Sequence, residues 1–293
     1  MSTSGQDAKV TARTPATSID ALIPLHSTHS RAVPVICIPG AGASVTSFMP
    51  FASAIGHQRP TFGLQPLGIG PGETPCESVE DAASYHLDAI CRIASRPFHL
   101  VGHSHGGRVA FELAVRLQAE GINPASLTLI DSEAPDPVGT ENLSLDEAAI
   151  RGEFVHVFEK IHAIELSLSP GIHASTDRET FLSALHGLLV AHGRLPARSA
   201  SSLLLGPLAT FAAARRARYR PTRVFEGILR LVQVRDVDLT LDDDLAQRNA
   251  YVEEWAKHAR DTDVWHGPGD HFSILQQPQI KTMACWWHDG LKS

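Results

Sequence analysis

The sequence predicts an α/β fold, a mostly parallel central sheet with helices on both faces and a helical lid inserted over one edge. Three observations carry this. Short apolar runs alternate with helix-period segments as far as Asp131. The tight turn Gly102-His103-Ser104-His105-Gly106-Gly107 joins one such run to one such segment. From about Leu143 to Tyr219 the alternation stops and the chain reads as successive helices.

Residues 1–21 are rich in Ser, Thr, Ala and Asp without periodicity, and read as a disordered lead-in or linker. Residues 22–293 then form one α/β unit. The first buried strand is expected at 33–38, closed by the Gly-rich loop Pro39-Gly-Ala-Gly-Ala43. A short helix follows at 47–55 and a strand at 61–64. A helix over 78–94 opens on Ser78-Val-Glu-Asp81, a capping-box-like start. The strand 98–101 leads into the Gly-rich turn, and the helical pattern after it runs from Arg108 to Glu120, stopped by Gly121. Another strand, 126–130, ends at Asp131. Lid helices are expected at 145–161, 179–191 and 203–218, within a lid of about 137–225. Strand character returns at 228–234 and 262–265, and a last helix covers 279–291.

Composition bounds the classes of function. The formal net charge of −7 argues against a nucleic-acid binder. No apolar run is long enough to span a membrane, and the start of the chain lacks the layout of a signal peptide. Cys37, Cys76, Cys91 and Cys285 are scattered with no Cys-x-x-Cys pair, which suits a reduced cytoplasmic protein and neither staples nor metal ligands. No cofactor or metal is expected.

The turn around Ser104 is a Gly-x-Ser-x-Gly nucleophile elbow in the strand–turn–helix setting it requires. A serine hydroxyl needs a base to take its proton, and that base needs an acid to fix its tautomer. Asp131 ends the next strand, at the sheet edge where Ser104 emerges. Asp236, after the strand 228–234, is a rival acid. Among 16 histidines, His271 follows the loop Gly267-Pro-Gly-Asp270 after the last strand and is expected to be the general base, with His266 the nearest rival. His103 and His105 flank the serine and read as packing or pocket groups. The oxyanion hole is expected to use the backbone N–H groups of His105 and Ala41, each such donor supplying about 3 kcal/mol. Arg215, Arg216, Arg218, Arg220 and Arg223 crowd the end of the third lid helix; complementing the helix dipole is favoured over docking an acidic partner.

Several segments resemble thioesterase domains that release products from nonribosomal peptide and polyketide synthases, enzymes of the α/β-hydrolase superfamily. They are Val35-Ile-Cys-Ile-Pro-Gly-Ala-Gly-Ala43, Gly68-Ile-Gly-Pro-Gly72, residues 98–121, Leu127-Thr-Leu-Ile-Asp131 and Gly267-Pro-Gly-Asp-His-Phe-Ser-Ile-Leu275. The resemblance implies release of an acyl, peptidyl or polyketide chain from the phosphopantetheine thioester of an acyl or peptidyl carrier protein, through an acyl-serine, by hydrolysis or macrocyclisation. In the release-domain branch the acid maps onto Asp131; in stand-alone editing (type II) thioesterases it maps onto Asp236; the sequence context around Asp131 and His271 favours the first branch. Many peptide-releasing members carry a Trp where this chain has His103, so the resemblance does not choose between peptide and polyketide. The competing readings are a type II thioesterase, a carboxylesterase or lipase acting on diffusible esters, and a binding protein on an inactive scaffold.

Overall fold

A computed structural model describes residues 21–27, 30–56, 59–91, 97–137, 145–173 and 177–291. Seven strands form one sheet in the order β1-β3-β2-β4-β5-β6-β7. They are β1 (Leu22–His26), β2 (Val35–Ile38), β3 (Thr61–Leu64), β4 (His99–His103), β5 (Ser126–Ile130), β6 (Phe225–Gln233) and β7 (Ala259–His266). β1 pairs antiparallel with β3, and every other pairing is parallel. All four β2 side chains are buried, as a central strand with both faces covered requires.

Helices cover both faces. On one side α2 (Val79–Cys91) and α3 (His105–Ala119) pack with Phe225 and with Trp255 of α8 (Leu241–Ala256). On the other, α1 (Met49–Ile55) and α9 (Gln279–Asp289) close over Val35, Val101 and Val232, with Phe51 set edge-on against Trp287. Eleven of the fifteen α3 residues are buried. Each fully buried aliphatic or aromatic side chain contributes about 1.5–3 kcal/mol, so the helix that follows Ser104 is firmly anchored.

Between β5 and β6 lie α4 (Glu147–His162), the one-turn α5 (Pro170–His173), α6 (Arg178–Ala191) and α7 (Leu205–Arg216). These lid helices have a core of their own, built on Ile150, Phe154, Phe181, Leu185, Leu189, Leu208 and Phe211. Asp146 caps α4 and Asp177 caps α6 through side-chain oxygens that accept first-turn N–H bonds.

Some expectations need correction. The antiparallel strand β1 and the helix α8 were not anticipated. α8 escapes detection because only Asp244 and Trp255 of its sixteen residues are buried, so it carries no apolar stripe. Ala21, expected in the lead-in, is buried, and its carbonyl accepts from Gln65 N–H (2.7 Å); residues 1–20 lie outside the described residues. The helix after the elbow starts at His105 instead of Arg108, because the glycines of its first turn look like loop in sequence yet are packed. β6 and β7 both begin about three residues early, where their exposed residues break the apolar run. The expected end of the second helix falls on 92–96, outside the described residues.

Candidate active site

Ser104 stands between β4 and α3 with φ 55° and ψ −130°, a backbone that L-residues rarely adopt. Its N–H donates to Ile130 O (2.9 Å) and its carbonyl accepts from Gly107 N–H (2.9 Å), so both ends of the turn are fixed. The flanking glycines are obligatory: a Cβ on Gly102 would strike the Gly106 carbonyl, and one on Gly106 would strike the carbonyls of Ile38 and Pro39. The turn thus lies directly against the loop that leaves β2.

Asp131 is a second strained residue, at φ 44°. Among the described residues only three non-glycines have positive φ, and two of them are Ser104 and Asp131. Asp131 N–H bonds Val232 O (2.8 Å), and its carboxylate accepts from Val234 N–H (3.4 Å) and from His271 Nδ1 (2.6 Å). A carboxylate can only accept, so Nδ1 carries the proton and Nε2 is left as the basic nitrogen. Burial opposes protonation of His271, but the hydrogen bond and charge of Asp131, with Glu133 and Asp270, outweigh it and raise its pKa above the usual imidazole value. The turn that carries His271 is closed by Asp270, whose carboxylate accepts from Phe272 N–H (3.0 Å) and Ser273 N–H (2.9 Å).

The rivals are elsewhere engaged. Asp236 uses its carboxylate to accept from Asp238 N–H (3.0 Å), and His266 Nδ1 faces Arg248 (3.2 Å). No hydrogen bond joins the Ser104 hydroxyl to the His271 ring in this structure, though both line one cavity; such contacts commonly tighten only with substrate bound. Gly40 lies so close that a Cβ there would be 3.1 Å from Ser104 Cβ. The loop turns on Ala43 N–H to Gly40 O (3.2 Å), and Ala41 N–H has no partner among the described residues. His105 heads α3, where first-turn N–H groups have no intrahelical acceptor. Two donors therefore flank the serine from separate elements.

The cavity encloses about 1090 Å³ between the sheet edge and the lid. Leu145, Phe154, Val157, Phe158, Ile161 and Phe211 give it an apolar wall. Arg108, Glu133, Asp136, Arg215, Tyr251 and Glu254 give it a polar one. Tyr251 and Glu254 come from α8, so they were missed together with that helix; no sequence signal tied this solvent-rich segment to the site. Burial, and then Glu133, push the Tyr251 phenol up to about 12, so it stays a donor. Burial and nearby Arg108 press the His105 imidazole down to about 4, so it lines the cavity uncharged.

Three of the five clustered arginines form ion pairs that join α7 and the chain after it to neighbouring elements. Arg215 pairs with Glu153 (2.7 Å) and Glu133 (3.3 Å), Arg216 with Glu147 (2.5 Å), and Arg218 with Asp136 (3.3 Å). The carboxylates lie on α4 and on the chain after β5, so the partners are neighbouring elements more than the α7 dipole. Among the described residues no group of three or more His, Cys, Asp or Glu side chains could hold a metal ion, and no helix is long and apolar enough to cross a membrane.

An elbow serine after β4, a carboxylate after β5 bonded to an imidazole after β7, and a helical insertion between β5 and β6 define an α/β-hydrolase. The chain belongs to the thioesterase domain family, whose model matches residues 33–284. It is 38% identical over 112 residues to indigoidine synthase of Streptomyces lavendulae, covering 38% of this chain and 9% of that protein. It is 30% identical over 185 residues to polyketide synthase PksR of Bacillus subtilis (strain 168), covering 59% of this chain and 7% of that protein. The chain thus spans less than a tenth of the length of either relative. Among solved structures, a four-domain nonribosomal peptide synthetase, holo-AB3403 bound to AMP and glycine, superposes with TM-score 0.74 at 18% identity, over 92% of this chain and 20% of that one. The family model makes this chain a thioesterase domain, a hydrolase, and the relatives it resembles are nonribosomal peptide and polyketide synthases.

Proposed function

We propose that this thioesterase domain releases an acyl, peptidyl or polyketide chain from the phosphopantetheine thioester of a carrier protein, with Ser104, Asp131 and His271 as its catalytic triad. The single observation that carries the reading is the 2.6 Å bond from His271 Nδ1 to Asp131, made beside a serine held at positive φ. His271 Nε2 takes the Ser104 proton as the hydroxyl oxygen bonds to the thioester carbonyl carbon. Charge develops on the carbonyl oxygen, which the amides of Ala41 and His105 stabilise. The C–S bond then breaks, the thiolate takes the proton from His271, and an acyl-serine remains. His271 next removes a proton from water, or from a hydroxyl or amine of the chain itself, as that atom bonds to the acyl-serine carbonyl carbon; the bond to Ser104 Oγ then breaks, Oγ takes the proton back from His271, and the free acid or a macrocycle leaves. The side chains and backbone amides suffice for both steps, and the pantetheine arm arrives on the partner.

The position of the acid favours the release-domain branch over a type II enzyme, since Asp131 and not Asp236 meets the imidazole. The two-faced cavity suits an amphipathic chain with hydrogen-bonding groups better than a plain alkyl chain. The test is intact mass spectrometry of the protein mixed with an acyl- or peptidyl-loaded carrier protein. An acyl adduct on Ser104, absent in Ser104→Ala, together with faster turnover of the loaded carrier than of aryl esters is expected. Much faster turnover of aryl esters would instead assign a carboxylesterase.

A further inference from the structure

His103, the residue before the nucleophile, makes a contact that the triad does not account for. It ends β4, and its Nε2 lies 3.1 Å from the backbone carbonyl of His271, across 168 positions of sequence. A carbonyl only accepts, so Nε2 carries the proton and Nδ1 is bare. The two imidazoles lie 4.8 Å apart, tilted by 33°. Nδ1 of His103 lies beside the loop after β2: a Cβ added to Gly40 would be 3.4 Å from it.

The turn that presents His271 is otherwise bonded to itself. Asp270 accepts from Phe272 and Ser273, Ser273 Oγ accepts from Asp270 N–H, and Ile274 N–H bonds Asp270 O. Among the described residues, Gly267 N–H bonds Gln233 O (2.8 Å) where the loop leaves β7, and His271 itself is tied to the sheet edge by two hydrogen bonds: Asp131 on its ring, and His103 on its backbone. One holds the ring and its tautomer. The other holds the peptide unit from which that ring hangs.

Resting on the triad reading above, we infer that His103 is a positioning residue for the base: its Nε2–H anchors the His271 carbonyl and thereby aims Nε2 of His271 at Ser104. The same ring lies beside the loop that carries Ala41, so one side chain stands between base, nucleophile and oxyanion loop. The role requires an imidazole that stays neutral while its neighbour is charged. Burial, followed by the charge of His271, presses His103 down to about 3, although its bond to the carbonyl pulls the other way. When His271 takes up the serine proton, therefore, the second proton does not spread to His103. The charged and titratable groups facing His271 are Asp131, Glu133, Asp270 and His103 itself.

The experiment compares His103→Phe, which keeps a ring without the donor, and His103→Asn, whose donor is too short, with His103→Gln, whose amide reaches about as far as Nε2. The readouts are the rate at which a fluorophosphonate labels Ser104, kcat and KM on one thioester, the acidic limb of the pH–rate profile, and Tm. A misplaced base costs about 10- to 100-fold. Labelling and kcat should fall by about that factor in the Phe and Asn variants with KM held within about twofold. Their acidic limb should move down, since a loosened turn weakens the bond to Asp131, and the Gln variant should recover most of both. Wild-type labelling and an unmoved limb in the Phe and Asn variants would overturn the inference. So would an equal loss in all three variants tracking a fall in Tm, which would leave packing alone. Failure of the wild-type protein to be labelled at all would remove the Ser104 reading itself, a separate result.

Discussion

Ser104 and Asp131 each sit in left-handed backbone, and each is held there by a strand neighbour, Ile130 O for the one and Val232 O for the other. Strain of this kind costs about 1–3 kcal/mol per residue and persists only where the surroundings dictate it. Here the surroundings are the parallel ladders β4–β5 and β5–β6. Replacing Asp131 by Asn leaves the shape but lets the imidazole adopt the wrong tautomer. We expect a fall in kcat of about 10³–10⁴ for Asp131→Asn, measured on any accepted thioester, against less than a twofold change for Asp236→Asn. The pH dependence follows from the sign of the His271 shift. On the proposed mechanism the base His271 works only when neutral, and Asp131 raises its pKa, so kcat/KM should drop on acidification through an inflection above 6.5. In Asp131→Asn that inflection should move down. An unmoved limb would assign the titration to another group.

At the scale of elements, the lid helix α7 is closely fitted to two loops of the body. Gly206 near its start lies so near the loop after β3 that a Cβ would meet the carbonyl of Ile69. Gly42, in the candidate oxyanion loop, would similarly crowd Phe211 and Pro207 of α7, both at 3.0 Å. Gly206→Ala should therefore push α7 off its seat, lowering stability by about 1–3 kcal/mol and raising KM more than it lowers kcat. A Tm scan with steady-state kinetics checks this. The loop from Gly68 onward is itself braced by Glu73, whose carboxylate accepts from the N–H groups of Gly68 (3.0 Å) and Gly70 (2.9 Å). Much of this layer was legible beforehand: β3, β5 and the three lid helices fall where apolar spacing places them. α8 was not, since its sixteen residues bury only two side chains and its contribution to the site is two groups facing a cavity. β1 was missed because a half-buried edge strand carries too weak an alternation.

For the molecule as a whole, the lid has its own core and meets the body through ion pairs as well as packing. Arg216 and Glu147 are both substantially exposed, so their bond is worth no more than about 1 kcal/mol. Because Arg216 is engaged within the lid, Arg216→Glu should change the KM of a carrier-bound substrate and of a small thioester mimic alike, and Arg216→Glu with Glu147→Arg should recover both. A KM rise confined to the carrier-bound substrate would instead assign Arg216 to partner docking. The −7 net charge leaves the basic cluster locally matched by acids.

The sequence by itself determined the elbow, the chain order of Ser104, Asp131 and His271 after successive elements, and the lid's place between two strands, because glycine at tight turns and apolar periodicity are local demands. Only the tertiary structure put the Asp131 carboxylate, the acid the sequence already favoured, on the His271 ring, brought Tyr251 and Glu254 into the cavity wall, and joined His103 to the carbonyl of His271. Those contacts link residues up to 168 positions apart. Their partners are chosen by how strands stack side by side, which no local pattern encodes.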